Sequence, residues 1–513
     1  AAGGTGLVAR LVTTHLEADR GDRIAYTDPD AGEVSYARLH EAARGYAGAL
    51  RARGVPQGTR CLVVAEDSVA TVVALLGLWW HGCVPVPVSP MLDDTGLRFL
   101  ADDCGAGAVH LDVAPSRQSG IESALGSLER FTGHQVLEFL RTGGPTAACR
   151  PKDAPEAFAW PGDREALIQY TSGSTGRPKG VRHSAAGITA MLDGFGSVTG
   201  LRPDDTVLCT ARMSFGYGFG SSVLCPLTAG AHTVLIRGAV DVYSVRAALE
   251  RHRPTVLCSV PRMYLALLDA PAREVPPPTA SLRLCLSAGE DCPAELSERI
   301  RRTFDAEFMN CLGATEVMHV VVATPPSSPM PGSIGLPVPG VTATVRDERG
   351  LPVPDGEEGR LHITGAMVAL GYLNRPEESR ATFADGGAYT GDLVRRLPDG
   401  SLQHLCRTDD ILNLGGYKVA PQQIEKVMRE VEGVADCAVV GRPDANGLEQ
   451  AVAFVAPVAG ADRDRVRRAV RAAVRTGMES YKRPSRIEFV DALPVTTTGK
   501  SARYKLRQQA VQS

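Results

Sequence analysis

The sequence predicts an α/β protein: a large N-terminal domain of layered α/β subdomains with mostly parallel sheets, followed by a small α+β C-terminal domain. Three observations predict it. Short β-branched runs alternate with helical patterns through about the first four hundred residues. A polar, glycine-containing string, Ser287-Ala288-Gly289-Glu290, falls at the C-terminal end of one such run, where α/β sheets place ligand loops. Beyond Arg407 the chain condenses into about a hundred residues with one strongly amphipathic helix.

Taken in order, Leu62-Val63-Val64 reads as a strand leading into an apolar stretch from Val69 to Trp80. That stretch has twelve residues, against roughly twenty needed to cross a bilayer, so it is expected to be a buried helix. Strands are expected at Thr206–Thr210, His232–Ile236, Thr255–Val260 and Leu282–Ser287, with helices at Val242–Arg251 and Ala294–Phe304 between them. Proline-rich breaks at Val275–Thr279 and Pro325–Pro331 mark surface connections, and short strands and turns follow from about Leu351. The expected domains are 1–406 and 407–513. In the second, Val466, Ala469, Val470, Ala473 and Val474 recur at helical spacing up to Gly477. The opposite face carries Arg463, Arg465, Arg467, Arg468, Arg471 and Arg475. It is either a solvated face or a landing strip for an anionic acceptor.

Composition narrows the function. The 513 residues are 44% apolar and 22% charged, ordinary for a soluble globular protein with a sizeable core. A net charge of −3 gives no support for nucleic-acid binding. The twelve cysteines form no CxxC pair and no zinc-spaced cluster, and read as reduced, mostly buried thiols of a cytoplasmic protein. The N-terminal residues do not read as a signal peptide, and no membrane partner is expected.

The most informative stretch is Tyr170-Thr171-Ser172-Gly173-Ser174-Thr175-Gly176-Arg177-Pro178-Lys179-Gly180. Five hydroxyls, three glycines and a lysine in eleven residues make a strip of donors suited to nucleotide phosphates. It lacks the spacing of a Walker A loop, which disfavours a P-loop ATPase. Downstream stand Asn310-Cys311-Leu312-Gly313-Ala314-Thr315-Glu316, Tyr389-Thr390-Gly391-Asp392, Arg407-Thr408-Asp409-Asp410, Leu414-Gly415-Gly416-Tyr417 and Pro494–Gly499 followed by Lys500. Each alone would pass for a turn, a cap or a solvated lysine. Together, in this order, they closely resemble the adenylate-forming superfamily of acyl- and aryl-CoA ligases, adenylation domains and luciferases.

The resemblance implies ATP and Mg2+ as cofactors and CoA or phosphopantetheine as acceptor. Thr171, Ser172, Gly173, Ser174, Thr175, Gly176 and Lys179 would bind the phosphates, and Gly289, Glu290 and Asn310 the base. Asp392 and Arg407 would take the ribose, an ionised Asp being able to accept two hydroxyls. Glu316 would ligate Mg2+ with Thr175, since a carboxylate beside phosphates needs a bridging cation. Lys500 would be catalytic with Thr315 and Glu316, bridging the substrate carboxylate and the α-phosphate as charge develops. The resemblance makes the C-terminal domain mobile about a hinge at 407–410, with Asp409 as pivot. Gly415 and Gly416 would line the thiol tunnel, where glycines allow close backbone approach. Leu312 stands where most members carry tyrosine, which weakens stacking on adenine but suits the benzoate–CoA ligase branch.

The acid side follows that branch. Arg212-Met213-Ser214-Phe215-Gly216-Tyr217-Gly218-Phe219-Gly220 resembles its aromatic-Gly-x-Gly segment, and holds no Asp to pair an α-ammonium group, which disfavours an amino acid. Gly216, Tyr217, Gly313, His319 and Val320 are expected to line the acid pocket, Tyr217 and His319 forming a flat slot for an aryl ring. Gly216 stands where the branch usually has alanine, which implies room for a ring substituent. The expected activity is formation of an acyl-AMP from a substituted benzoate-like acid and transfer to CoA or a carrier protein. An amide ligase, a ligase for a non-aryl acid and a catalytically degenerate regulatory protein are the rivals. Retention of Lys500 and Glu316 counts against the last. Oligomeric state is left open, a homodimer included.

Overall fold

The computed structural model describes residues 6–126, 128–172, 178–269, 279–290, 292–414, 417–443, 449–478, 480–495 and 502–512. The chain divides into two units. The first comprises Ala1–Thr344 with His362–Thr390, the second Val345–Leu361 with Gly391–Ser513. The strand Ala388–Arg396 runs through the division.

Among the described residues of the first unit, the largest sheet has a parallel centre. Glu307–Gly313, Leu284–Ser287, Val256–Ser259, Thr206–Cys209, His232–Val234 and Ile24–Asp28 lie side by side in that order. Antiparallel strands flank them: Val320–Ala323 and Leu336–Pro337 on one edge, Gly32–Ser35 on the other. A second, all-parallel sheet runs Val84–Val88, Arg60–Ala65, Ala108–Asp112, Glu129–Thr132. The expected α/β layering with mostly parallel sheets is the observed one.

The helix Val69–His81 shows how sequence sets these layers. Ser68 caps it by accepting the Thr71 N–H, and Gly82, at φ 87°, ends it in the left-handed conformation that glycine adopts without strain. All thirteen of its residues are buried, as a helix apolar on every face must be. Leu208, Leu249, Leu257, Tyr264, Ile300 and Phe304 form part of the core between the large sheet and its helices Val242–His252, Pro261–Asp269 and Ala294–Phe304. A hairpin, Glu165–Ser172 with Pro178–Ser184, carries both ends of the Tyr170–Gly180 stretch and sets Thr171 opposite Lys179. Its second strand also holds the 370–373 segment: the Leu370 and Leu373 N–H groups donate to the carbonyls of Arg182 and Gly180, at 2.8 and 2.7 Å.

The second unit contains a three-stranded sheet, Val434–Pro443, Glu449–Pro457 and Arg486–Phe489, and helices Pro421–Arg429, Arg463–Gly477 and Arg503–Gln512. Val466, Val470 and Val474 are the buried stripe of the amphipathic helix, which Asp462 caps. Its arginines are exposed; Arg463 pairs with Asp491, Arg465 lies 3.6 Å from Glu432, and Arg467 stacks on Phe489. The fully buried Glu425 is compensated by Arg503 at 2.7 Å, Arg429 at 3.2 Å and the Val439 N–H at 2.8 Å. All twelve cysteines are buried and free. Among the described residues no helix is long and apolar enough to cross a membrane.

Candidate active site

In the first unit, the described parts of the motifs nominated for nucleotide binding lie at strand ends. The strand Glu165–Ser172 alternates its faces, sending the Tyr170 hydroxyl to Asp103 at 2.7 Å and Thr171 to the opposite side. Gly173, Ser174, Thr175 and Gly176 lie outside the described residues, and Ser172 is described by its backbone alone. Lys179, across the hairpin, holds its ammonium 5.1 Å from the ring centre of Tyr372. The Tyr372 hydroxyl in turn donates to Glu316 at 2.6 Å, and the Glu316 carbonyl accepts the Ala369 N–H at 2.9 Å. One aromatic ring thus links the lysine and the carboxylate that the motifs nominate. Thr315 and Glu316 sit in a single tight turn, Thr315–Val317, after the strand Glu307–Gly313.

The adjacent parallel strands set Ser287 opposite Asn310, so the loop containing Gly289 and Glu290 leaves the sheet beside Asn310. Gly289 has φ 90°, where any residue with a side chain would be strained. Glu290 pairs with Arg262 at 3.3 Å, and the Asn310 amide donates to the Ser333 carbonyl at 3.3 Å.

The predicted acid residues come together in the same unit. Gly216 begins a short helix, Gly216–Phe219. His319 Nε2 donates to the Tyr217 carbonyl at 3.2 Å, and the Tyr217 hydroxyl donates to the Leu286 carbonyl at 3.2 Å. The His319 ring lies 5.8 Å from that of Tyr217 and 5.0 Å from that of Phe195. Burial lowers the His319 pKa to about 4, so the imidazole is neutral near pH 7. Two glycines are sterically required here. A Cβ at Gly220 would stand 2.2 Å from the His319 ring, and one at Gly313 would stand 2.2 Å from the His319 carbonyl oxygen. Gly216 is less confined, with 3.4 Å to Gln169 and to the Met318 carbonyl. Val320 opens a buried strand directly after His319.

Sequence reasoning missed Tyr372, Phe195, Gly220 and Gln169. Gly220 had a signal, the repeated Gly-x-Gly spacing. The others gave none, since Tyr372 reaches Glu316 across 56 residues and Phe195 lies on a separate helix.

In the second unit, Asp392 and Arg407 face each other across paired strands. The buried Asp392 carboxylate lies 3.2 Å from the Arg407 guanidinium and 3.3 Å from His404 Nε2. Gly391 has φ +78°, and a Cβ there would stand 2.6 Å from the guanidinium, so the Gly-Asp pair is what lets the arginine reach the carboxylate. Asp409, within the turn Thr408–Asp410, is described by its backbone alone. Gly415, Gly416 and Lys500 lie outside the described residues.

Comparison with known proteins gives these pieces a common origin. Residues 14–373 match the AMP-binding enzyme family model, and residues 423–500 that of the AMP-binding enzyme C-terminal domain. The chain belongs to the AMP-binding enzyme family. It is 32% identical over 508 residues to a 4-hydroxybenzoate–CoA/benzoate–CoA ligase of Rhodopseudomonas palustris, covering 98% of this chain and 93% of that one. Its fold is similar to that of a benzoate CoA ligase from Burkholderia xenovorans LB400, with TM-score 0.87, 32% identity, and coverage of 98% and 100%. It is also similar to an anthranilate CoA ligase in complex with anthranoyl-AMP, with TM-score 0.89, 29% identity, and coverage of 99% and 97%.

Proposed function

We propose that this protein uses ATP to activate a substituted benzoate-like acid and passes the acyl group to the thiol of CoA. The observation that carries the reading is the aromatic cluster of Tyr217, neutral His319 and Phe195, in which His319 stands three residues downstream of the motif carboxylate Glu316. A neutral aromatic wall of this kind suits an uncharged ring and disfavours an α-ammonium group. The substrate carboxylate would attack the α-phosphorus, expelling pyrophosphate; the thiol would then attack the acyl carbon, expelling AMP.

Thr171, Lys179 and the phosphate loop support the triphosphate, Asp392 and Arg407 the ribose, and Lys500 the charge developing between carboxylate and α-phosphate. Among the described residues no group of three His, Cys, Asp or Glu side chains could hold a metal unaided. Glu316 offers one half-buried carboxylate oriented by Tyr372, which fits Mg2+ bound through a carboxylate and substrate phosphates. Bound there with Thr175, Mg2+ would neutralise phosphate charge. The exposed arginines of Arg463–Gly477 support an anionic acceptor, whether CoA phosphates or an acidic carrier protein. Twelve buried free thiols support a reducing, cytoplasmic setting.

The test is pyrophosphate release with ATP across benzoates, long-chain fatty acids and amino acids, followed by acyl transfer to CoA or an amine. Preference for benzoates with thioester formation is expected. Preference for fatty acids, or transfer to an amine alone, would overturn the proposal.

A further inference from the structure

We propose that the carboxamide of Gln169 reads a hydroxyl group on the acid, making Gln169 a specificity-determining residue of the pocket; this rests on the aryl-acid reading above. Gln169 is 1% exposed, and among the described residues neither its amide oxygen nor its amide nitrogen has a hydrogen-bond partner. An unpaired buried polar group is costly, and a fold that merely needed the space filled would do so with Leu or Met.

The position says what the amide faces. Gly216 has no side chain to cover it: the Cβ position of that residue lies 3.4 Å from Gln169 Oε1. Strand alternation puts Gln169 on the same face as Thr171, which is about 7 Å along the strand. A benzoate whose carboxylate lay beside Thr171 would extend over that distance. Beyond Met318, whose carbonyl also borders Gly216, stands His319. Its Nε2 proton is committed to the Tyr217 carbonyl, so the buried Nδ1, which has no partner among the described residues, can only accept.

The donor inventory selects the substituent. Gln169 offers an acceptor and two donors, and His319 Nδ1 an acceptor. A carboxylate or halide only accepts and would leave both Oε1 and Nδ1 unpaired, and an ammonium only donates and would leave the amide N–H groups unpaired. A hydroxyl donates one hydrogen bond, to Oε1 or to Nδ1, and accepts from the amide N–H, so it meets both sides of the amide; a neutral ring amine, its lone pair delocalised into the ring, is a poor acceptor.

The experiment compares kcat/KM for pyrophosphate release with benzoate and with 2-, 3- and 4-hydroxybenzoate in the wild type and in Gln169→Met, which conserves volume. The wild type should favour at least one hydroxybenzoate. In Gln169→Met the ratio of that isomer to benzoate should fall roughly tenfold or more. Its ligand-free melting temperature should not fall, because no hydrogen bond to a described residue is removed. Gln169→Asn, which keeps the amide but withdraws it, should lower the same ratio and serves if the first variant folds poorly. An unchanged ratio in a folded variant overturns the proposal, as does an equal loss on all four acids with a lowered melting temperature, the mark of a structural residue. A wild type that activates no benzoate overturns the parent reading and this one together, and shows itself before any substitution is made.

Discussion

Two motif carboxylates, Glu316 in the first unit and Asp392 in the second, are built in opposite ways. Glu316 is half-buried and takes a hydrogen bond from a neutral phenol, Tyr372, at 2.6 Å. Asp392 is 4% exposed and lies 3.2 Å from the guanidinium of Arg407. A phenol orients a carboxylate without cancelling its charge, whereas a guanidinium compensates it. The first arrangement suits a site that must attract a cation, the second one that must accept hydrogen bonds from neutral hydroxyls. On the proposed reading, one residue chemistry would serve two tasks because the partners differ.

Substitution at Glu316 should have the largest effect. Glu316→Gln keeps the shape and an oxygen for Tyr372 but removes the charge. Acyl-AMP formation is expected to fall roughly 10²–10³-fold, the scale of losing one preorganised electrostatic group. The Mg2+ concentration giving half the maximal rate should rise. A variant with the wild-type Mg2+ response would break the comparison, because the charge would then not be used on a cation. Asp392→Asn should act differently. The KM for ATP should rise roughly ten- to a hundredfold, matching a charged hydrogen bond of about 1.5–3 kcal/mol, with the Mg2+ response unmoved. Parallel changes in both measurements for both variants would mean that the two carboxylates share one role.

A third carboxylate sharpens the contrast through pH. Asp67, beneath the pocket segment, accepts the Met213 N–H at 3.1 Å and lies 3.9 Å from Arg212. Burial dominates there and raises its pKa to about 6. The folded state holds this proton more tightly than the unfolded chain does. The associated stability is full below the unfolded value of 3.8 and lost as pH rises through about 6. Asp67→Asn should therefore be more stabilising, relative to wild type, at pH 8 than at pH 4, by about 2 kcal/mol in denaturant titrations. A difference that stays flat across this range would mean that Arg212 compensates Asp67 as Arg407 does Asp392.

Much of the fold was legible because local patterns agreed with tertiary packing. The apolar run from Val69 gave a helix that ends at His81 because Gly82 can turn left-handed. The helix at Ala294–Phe304 and the four central strands followed from periodicity in the same way. The hairpin Glu165–Ser172 with Pro178–Ser184 was not legible. Gln169-Tyr170-Thr171-Ser172 is polar throughout, and its strand geometry comes from pairing with Pro178–Ser184. Of the candidate site, the nearness of Tyr217 to His319 was legible in the motifs, while Gly173, Gly176, Gly415 and Gly416 lie outside the described residues. Tyr372 and Gln169 were not legible, because no spacing rule reports what marks them: one reaches Glu316 from 56 residues away, the other finds no hydrogen-bond partner among the described residues.

Tyr372 also supplies the smallest and most discriminating test of the comparison. Tyr372→Phe removes the hydroxyl that orients Glu316 but keeps a ring face beneath Lys179, whose ammonium lies 5.1 Å from its centre. Because Glu316 is half-buried, water can replace the lost donor, and the expected cost is about 1 kcal/mol, roughly a fivefold fall in acyl-AMP formation. Half-saturation by Mg2+ should move little, since the carboxylate keeps its charge. Tyr372→Ala removes the ring as well and should cost a further roughly two- to fivefold by releasing Lys179, whose cation–π contact is worth about 0.5–1 kcal/mol at an exposed site. If Tyr372→Phe alone fell as far as Glu316→Gln, the phenol would be doing more than orienting the carboxylate, and the division between a charge held bare and a charge compensated would not describe this site.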